Sequence, residues 1–398
     1  MDEILFLAHR IPYPPDRGDR IRSFHILQHL AKLRPVHLVG FVDSAEDRQT
    51  AKAMLPMLAS LHIETRSRST MAAGLQSVLT GVPVSVAAFG SRHLQAAVDR
   101  LLADRPIGTI FVYSGQMAQF VPADVGGRRF IMDFVDVDSE KFATYGAAGR
   151  GPMAWIHRRE ARLLARFERD VAQRADVSLF VTEAEAALFR DRTGLGPQRI
   201  VAMDNGIDLG RFCPESFPHI ADPEPLIVFT GQMDYRPNIE AVDYFARRTF
   251  PAIRAKHPST MFAIVGRNPT PTVRKLAELK GVMVTGEVAD VRPWIAAATV
   301  VVAPLEIARG VQNKVLEAMA MGRPVVASAA AFKGIDATPG THLLVAEGYE
   351  MANAVSRLIA DPLHAAEIGR AGRQRMVARY AWEAQLGALD MMIGAGTN

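Results

Sequence analysis

Lys314 and Glu317 stand three positions apart, just after a glycine, in the segment Pro304-Leu305-Glu306-Ile307-Ala308-Arg309-Gly310-Val311-Gln312-Asn313-Lys314-Val315-Leu316-Glu317. The apolar run before it predicts a buried strand over Val300–Ala303, then a polar glycine turn and a helix beginning near Val311. The start of such a helix offers free backbone N–H groups and a positive dipole end to an anion. A lysine beside it suits a diphosphate. A carboxylate one turn further in suits a ribose diol, and residues three apart project from one side of the helix. The plainer alternative for Lys314 and Glu317 is an exposed helical pair. Gly322-Arg323-Pro324 then ends the helix.

A second group lies near the N-terminus, where a strand over Glu3–Ala8 runs into His9-Arg10-Ile11-Pro12-Tyr13-Pro14-Pro15-Asp16-Arg17-Gly18-Asp19. Three prolines stiffen this loop, and Gly18 permits close backbone approach just before a helix over Arg20–Leu33. Asp19 reads either as that helix's N-cap or as a catalytic or acceptor-side carboxylate. His9 reads as a packed histidine or as a base. The loop is not a G-x-G-x-x-G turn, which argues against a nicotinamide dehydrogenase. Further on, Asp136-Val137-Asp138 has three readings: a divalent-cation site, carboxylates facing an acceptor, or caps for the helix after Ser139. Between Arg150 and Arg174 there are seven arginines and three acids. These form either a basic face for anionic lipid or a solvated helix in which Glu160 pairs with arginines such as Arg158 and Arg162.

Short apolar runs alternate with helical segments, the pattern of parallel sheets covered on both faces. Strands are expected at Glu3–Ala8, Pro35–Val42, His62–Thr65, Thr109–Tyr113, Arg129–Asp133, Val177–Thr182 and Arg199–Met203 in the first half. In the second half they are expected at Leu226–Thr230, Met261–Val265, Val282–Thr285, Val300–Ala303, Pro324–Ala327 and His342–Val345. Helices are expected over Ala154–Arg174, Asn238–Lys256, Val311–Met321 and Tyr349–Ala360 as well. Two such series imply an α/β chain of two doubly wound domains, expected to face each other across a cleft. The break falls near Asn205-Gly206-Ile207-Asp208, before the loose stretch Cys213–Pro225. Ligands of such sheets bind at the carboxyl ends of the strands.

The composition fits this picture. The chain has 398 residues, 49% apolar and 22% charged, which suits a well-packed protein of two or three domains of roughly 150 residues. A net charge of +4 is too mild for a nucleic-acid binder. The single cysteine, Cys213, allows no internal disulfide. The N-terminus is acidic where a signal peptide is basic, and no stretch approaches the roughly 18–20 apolar residues of a membrane span. A cytoplasmic location is expected, with peripheral contact at the inner face of the membrane left open.

The block around Lys314 resembles the donor-site signature of retaining GT-B enzymes of glycosyltransferase family 4. The resemblance extends along nearly the whole chain. Asn205-Gly206-Ile207-Asp208 with Phe212 and Pro214 is similar to the family's interdomain segment. Thr285-Gly286-Glu287-Val288 with Asp290-Val291-Arg292-Pro293 is similar to its base-side loop, and Tyr380-Ala381-Trp382-Glu383 to its closing helix. More narrowly, three segments resemble the sugar transferases of exopolysaccharide production in bacteria with exosortase/PEP-CTERM systems. These are Arg309–Lys314, Thr230–Asn238 and Asp133–Lys141. Two positions depart from the broad family. Arg309 stands where a second glutamate is usual, and Gly231-Gln232, with Arg236 nearby, stands for a glycine-arginine pair followed by a lysine.

The resemblance implies a GT-B fold with an acceptor-side domain over 1–205, a nucleotide-sugar-binding domain over 206–375 and a closing helix within 376–398 that crosses back. It implies retention of anomeric configuration. It places the donor against Gly18, Gly231, Arg236, Gly286, Arg309, Gly310, Lys314 and Glu317, with Lys314, Asp19 and Asp136 as catalytic candidates. A nucleotide-diphosphate sugar would be a co-substrate, with no other cofactor and no metal, and the acceptor a saccharide or lipid-linked saccharide. Two other readings share the fold: a sugar-nucleotide 2-epimerase, and a non-catalytic binding subunit, which Arg309 and Gln232 favour.

Overall fold

Strands buried on both faces must be apolar throughout, and the short apolar runs fold as such strands. The computed structural model describes residues 2–15, 18–66, 69–217, 224–308 and 311–394. The first unit contains β1 (Glu3–Ala8), β2 (Val36–Val42), β3 (Ser60–Thr65), β4 (Ile107–Tyr113), β5 (Arg129–Val135), β6 (Val177–Phe180) and β7 (Ile200–Ala202). They form one parallel sheet in the order β3-β2-β1-β4-β5-β6-β7. Ile4 through Ala8 of β1 are wholly buried at its centre.

Five helices of this unit matter below. They are α1 (Gly18–Leu33), α2 (Thr70–Thr80), α3 (Val84–Ala87), α4 (Asp138–Ala148) and α5 (Pro152–Arg174). Helix α2 starts where the Ala72 amide donates to Ser69 Oγ and stops at Gly81 in a left-handed conformation. Helix α5 opens on Pro152, whose missing N–H costs nothing at that position.

The second unit contains β8 (Leu226–Thr230), β9 (Met261–Val265), β10 (Val282–Gly286), β11 (Val300–Ala303), β12 (Val325–Ala327) and β13 (Leu344–Val345). Their order is β10-β9-β8-β11-β12-β13. Both sheets therefore reverse direction once, between β1 and β4 in one and between β8 and β11 in the other, which is where doubly wound sheets hold ligands. Helix α6 (Arg236–Tyr244) runs on through a π-turn at Phe245–Thr249 into a helix over Phe250–Lys256, so the helix expected here forms as one continuous run with a π-bulge inside it. Phe245 and Phe250 pack on Phe262 of β9 across that turn. Helix α7 (Asn313–Ala320) follows β11.

The chain divides between Asn205 and Gly206. The last helix, α8 (Trp382–Met392), is shared. Its first turn, through Ala384, belongs to the second unit, and from Gln385 onward it belongs to the first. There Asp390 lies 2.7 Å from His29 of α1.

Candidate functional site

At the carboxyl edge of the second sheet the backbones of three strands close on one another. The Gly231 amide, just past β8, donates to the Val265 carbonyl, and the Gly266 amide, just past β9, donates to the Gly286 carbonyl at the end of β10. A Cβ on Gly266 would fall 1.6 Å from the Gly231 oxygen, so only glycine permits this approach. Gly286 sits at φ +72, a region side chains avoid.

Asn238, buried in the first turn of α6, reaches over this corner. Its Nδ2 donates to the Gln232 carbonyl at 2.9 Å, and its Oδ1 accepts from Lys314 Nζ of α7 at 2.6 Å. The ammonium lies 4.1 Å from the centroid of the Phe229 ring on β8, a cation–π contact. A Cβ on Gly231 would meet Asn238 Nδ2 at 2.8 Å and Lys314 Nζ at 3.2 Å, so this glycine also makes room for the pair.

Lys314 and Glu317 are surrounded by protein but keep part of their surface open to solvent. Burial pulls the Lys314 ammonium down to about 7, with Glu317 opposing. Burial also pushes the Glu317 carboxyl up, against Arg211 and Lys314. The Glu317 carboxylate makes no hydrogen bond among the described residues. Helix α7 opens without a side-chain cap. The corner thus offers a weakly solvated cation beside glycine backbone and a carboxylate with open acceptor sites, a donor set for a phosphate and a hydroxyl pair.

The expected donor residues are not all brought here. Gly231, Gly286, Lys314 and Glu317 lie along this edge. Arg236 turns outward instead, 86% exposed and ion-paired with Glu240 one turn on at 2.7 Å. Arg309 and Gly310 lie outside the described residues. Just past β10, Arg292 forks onto Asp290 and donates to the Arg211 carbonyl.

The switch point of the first sheet carries its own cluster. His9, following β1, stacks on Tyr113 of β4 with centroids 5.9 Å apart. Its Nε2 lies 3.7 Å from Asp19 Oδ2, which accepts from Arg10 at 2.6 Å. Burial pushes the Asp19 carboxyl up, but His9 and Arg10 outweigh it and hold the group well below the usual carboxylate range. Asp19 is therefore an ionised member of a charge cluster; α1 already begins at Gly18, so it is not the helix's N-cap. A Cβ on Gly18 would meet nothing within 4 Å. His9 Nδ1 and Tyr113 Oη are buried without a hydrogen-bond partner among the described residues.

Behind this cluster Arg22 of α1 and Asp133 of β5 form a buried ion pair, Nε to Oδ2 at 2.9 Å, and Arg22 also donates to the Met203 carbonyl and to Asn205. Val135 then takes φ +72, and Asp136 follows, an exposed residue whose carboxyl is nonetheless pushed up by partial burial and by Glu185 and Asp138. Tyr113 feels the charges of Asp133, Asp19 and Asp136, so the three carboxylates share one neighbourhood. Asp138 opens α4, where burial raises its carboxyl. Among the described residues no group of three His, Cys, Asp or Glu side chains is placed to hold a metal ion.

Several of these roles escape sequence reasoning. Arg22 and Asp133 are 111 positions apart and neither is distinctive alone. Glu160 does not pair with Arg158 or Arg162. It is buried and accepts from the Val84 and Ser85 amides at 2.9 and 2.8 Å, capping α3. Glu168 likewise accepts from the Ser139 amide at 3.0 Å and its hydroxyl at 2.5 Å. Their spacing of eight, which places both on one helix face, was the available signal.

Residues 224–361 match the family described as Glycosyl transferases group 1. The chain is 30% identical over 243 residues to alpha-maltose-1-phosphate synthase of Mycolicibacterium smegmatis, covering 54% of this chain and 62% of that protein. It is 25% identical over 238 residues to a GDP-mannose-dependent monoacylated alpha-(1-6)-phosphatidylinositol monomannoside mannosyltransferase of Corynebacterium glutamicum, covering 54% and 61%. The matches thus span about three fifths of these relatives' length. Among solved structures, Anabaena HepE in complex with UDP superposes with a TM-score of 0.68 at 14% identity, covering 99% of this chain and all of that one. At that identity the likeness is one of fold, and the fold is GT-B.

Proposed function

We propose that the chain is a glycosyltransferase that moves a sugar from a nucleotide-diphosphate donor to a saccharide or lipid-linked saccharide acceptor. The observation that carries this reading is the Lys314–Asn238 pair set against the glycine corner of β8, β9 and β10, with Glu317 one turn further along α7. Supporting it are the family match over this same unit and the Corynebacterium relative, whose name states a mannosyltransferase.

In this reading Lys314 and the first amides of α7 hold the donor's pyrophosphate. They stabilise the charge that develops on the leaving phosphate, which is electrostatic catalysis directed at the transition state. Glu317 accepts hydrogen bonds from the ribose hydroxyls. In the first unit, Asp19, held ionised by Arg10 and His9, and Asp136 serve the acceptor side, while bare Gly18 leaves room for a ligand at the start of α1. Retention of configuration, independence of metal and a place in exopolysaccharide production rest on the motif resemblance, as does an acceptor presented at the inner face of a membrane. HepE, of the same fold, has been solved with UDP and with UDP-glucose, so a uridine donor is the first to try.

The test is a titration of the purified chain with nucleoside diphosphates and nucleotide sugars, following the thermal midpoint with and without Mg²⁺. A ligand that binds only the folded chain raises that midpoint. A metal-independent rise with one nucleotide sugar, absent in Glu317→Ala, is the expected result. No rise with any of them refutes the donor site. A purified chain that binds the nucleotide sugar but converts it to a rearranged sugar and free nucleotide without acceptor is an epimerase instead.

A further inference from the structure

Helix α2 is anchored by one face and bare on the other. Its inner residues Ala73 and Ser77 are fully buried, and Arg159 of α5 holds them in place by donating to Ser77 Oγ at 2.8 Å and to the Ser77 carbonyl at 2.7 Å. The opposite face carries Met71, Leu75, Val78 and Leu79, spaced i, i+4, i+7 and i+8 and 65–85% exposed. Four large apolar side chains on one stripe of one helix are more than scattered surface residues.

The neighbouring face of α5 is basic. Trp155, Arg159, Arg162 and Arg166 fall at i, i+4, i+7 and i+11, so they line one side of that helix with Arg158 and Arg169 at its margins. Trp155 is 57% exposed. Of the three acids on α5, Glu160 caps α3 and Glu168 binds Ser139, which leaves only Asp170, one turn past Arg166, beside the stripe. Arg162 and Arg166 make no ion pair or hydrogen bond among the described residues. Arg159 binds the inner face of α2, so α2 lies over the arginine-bearing side of α5 and turns its apolar stripe away from it.

We infer that this surface of α2 and α5 docks the first unit on an anionic lipid bilayer. The apolar side chains of α2 enter the interface between headgroups and acyl chains. Trp155 sits at the headgroup level, and Arg162 and Arg166 face the lipid phosphates. The charge decides for lipid over a second copy of the chain, since two such arginine rows brought together repel. No described helix is long and apolar enough to cross a membrane, and the docking inferred is that of a surface lying on the bilayer interface. The inference rests on the reading above for its purpose, which is to bring a lipid-linked acceptor to the enzyme.

Flotation of the full chain with vesicles tests it. Vesicles of phosphatidylcholine mixed with phosphatidylglycerol carry the chain upward, and phosphatidylcholine alone does so much less. Leu75→Asp loses at least about ten-fold in vesicle binding, as expected when a large side chain no longer enters an apolar phase. Arg162→Ala and Arg166→Ala each lose about five-fold at low salt, matching about 1 kcal/mol per basic residue at an anionic surface. All three variants keep the wild-type melting midpoint and nucleotide-induced shift. Absence of binding to either vesicle, or binding indifferent to these substitutions, overturns the inference. So does a wild-type dimer that Leu75→Asp dissociates, which assigns the stripe to a second copy. Vesicle binding without any nucleotide response leaves the docking surface standing and removes the donor site alone.

Discussion

Arg22 and Asp133 form a bidentate pair in which both side chains are out of reach of water, joining the start of α1 to the end of β5. Removing one partner leaves the other charged and unpaired inside the sheet, at a cost of about 3–5 kcal/mol. Arg22→Leu is expected to lose that much in urea unfolding. Arg22→Leu combined with Asp133→Leu recovers a good part of it. Two single losses that simply add in the double variant would show that the pair is not coupled.

Lys314 offers a proton-linkage signature. Its folded value near 7 lies below that of a free lysine, so around pH 8 much of the population is neutral. A diphosphate favours the charged ammonium, so binding takes up a proton. Calorimetry at pH 8 in buffers of different ionisation enthalpy should report an uptake approaching one proton, falling toward zero at pH 6. Affinity weakens as pH rises above 7. Lys314→Arg binds without that uptake.

Two glycines separate fold from ligand. Gly266→Ala puts a methyl group into the Gly231 carbonyl and should destabilise the second unit by at least about 1–3 kcal/mol. Gly18→Ala meets open space at the start of a helix, so its melting midpoint should match or slightly exceed that of the wild type. Sugar transfer should nonetheless fall in Gly18→Ala if a ligand approaches there. Unchanged transfer rates would remove Gly18 from the site.

Glu168 makes stability depend on pH. Burial pushes its carboxyl up to about 7, against the bonds from Ser139, whereas the unfolded group titrates near 4.5. Between those values the folded chain holds a proton that the unfolded chain has released, so this contribution falls as pH rises from 4.5 to 7. Glu168→Gln stays neutral and lacks the slope. The stability of the wild type relative to the variant should drop by on the order of 2 kcal/mol across that window. A constant difference from pH 5 to 8 would contradict the assignment.

The strands were legible because a parallel strand covered on both sides has to be apolar from end to end. Runs such as Val300–Ala303 and Met261–Val265 announce themselves without reference to anything distant. Lys314 and Glu317 were legible through local spacing on one helix. Asn238 was visible only as a residue near the start of a helix. Its role depends on α7, 76 positions later, and no local pattern encodes that distance. Arg236 misleads for the opposite reason: it lies close in sequence to Gly231, yet a glutamate one turn on draws it outward. The bare face of α2 is equally hidden, because an apolar helical stripe in a sequence ordinarily marks a buried side.

The shared helix α8 has a consequence for how the chain is made. The second unit is one continuous segment, Gly206 to Ala384, and can complete itself while the ribosome is still at work. The first unit, although its strands are translated before the second unit, stays without α8 until Gln385 and the residues after it are made, when Asp390 reaches His29. During elongation the surface of α1 that awaits α8 is uncovered. A nascent chain stalled before Gln385 should therefore present a finished second unit beside an open first one, the state most in need of a chaperone.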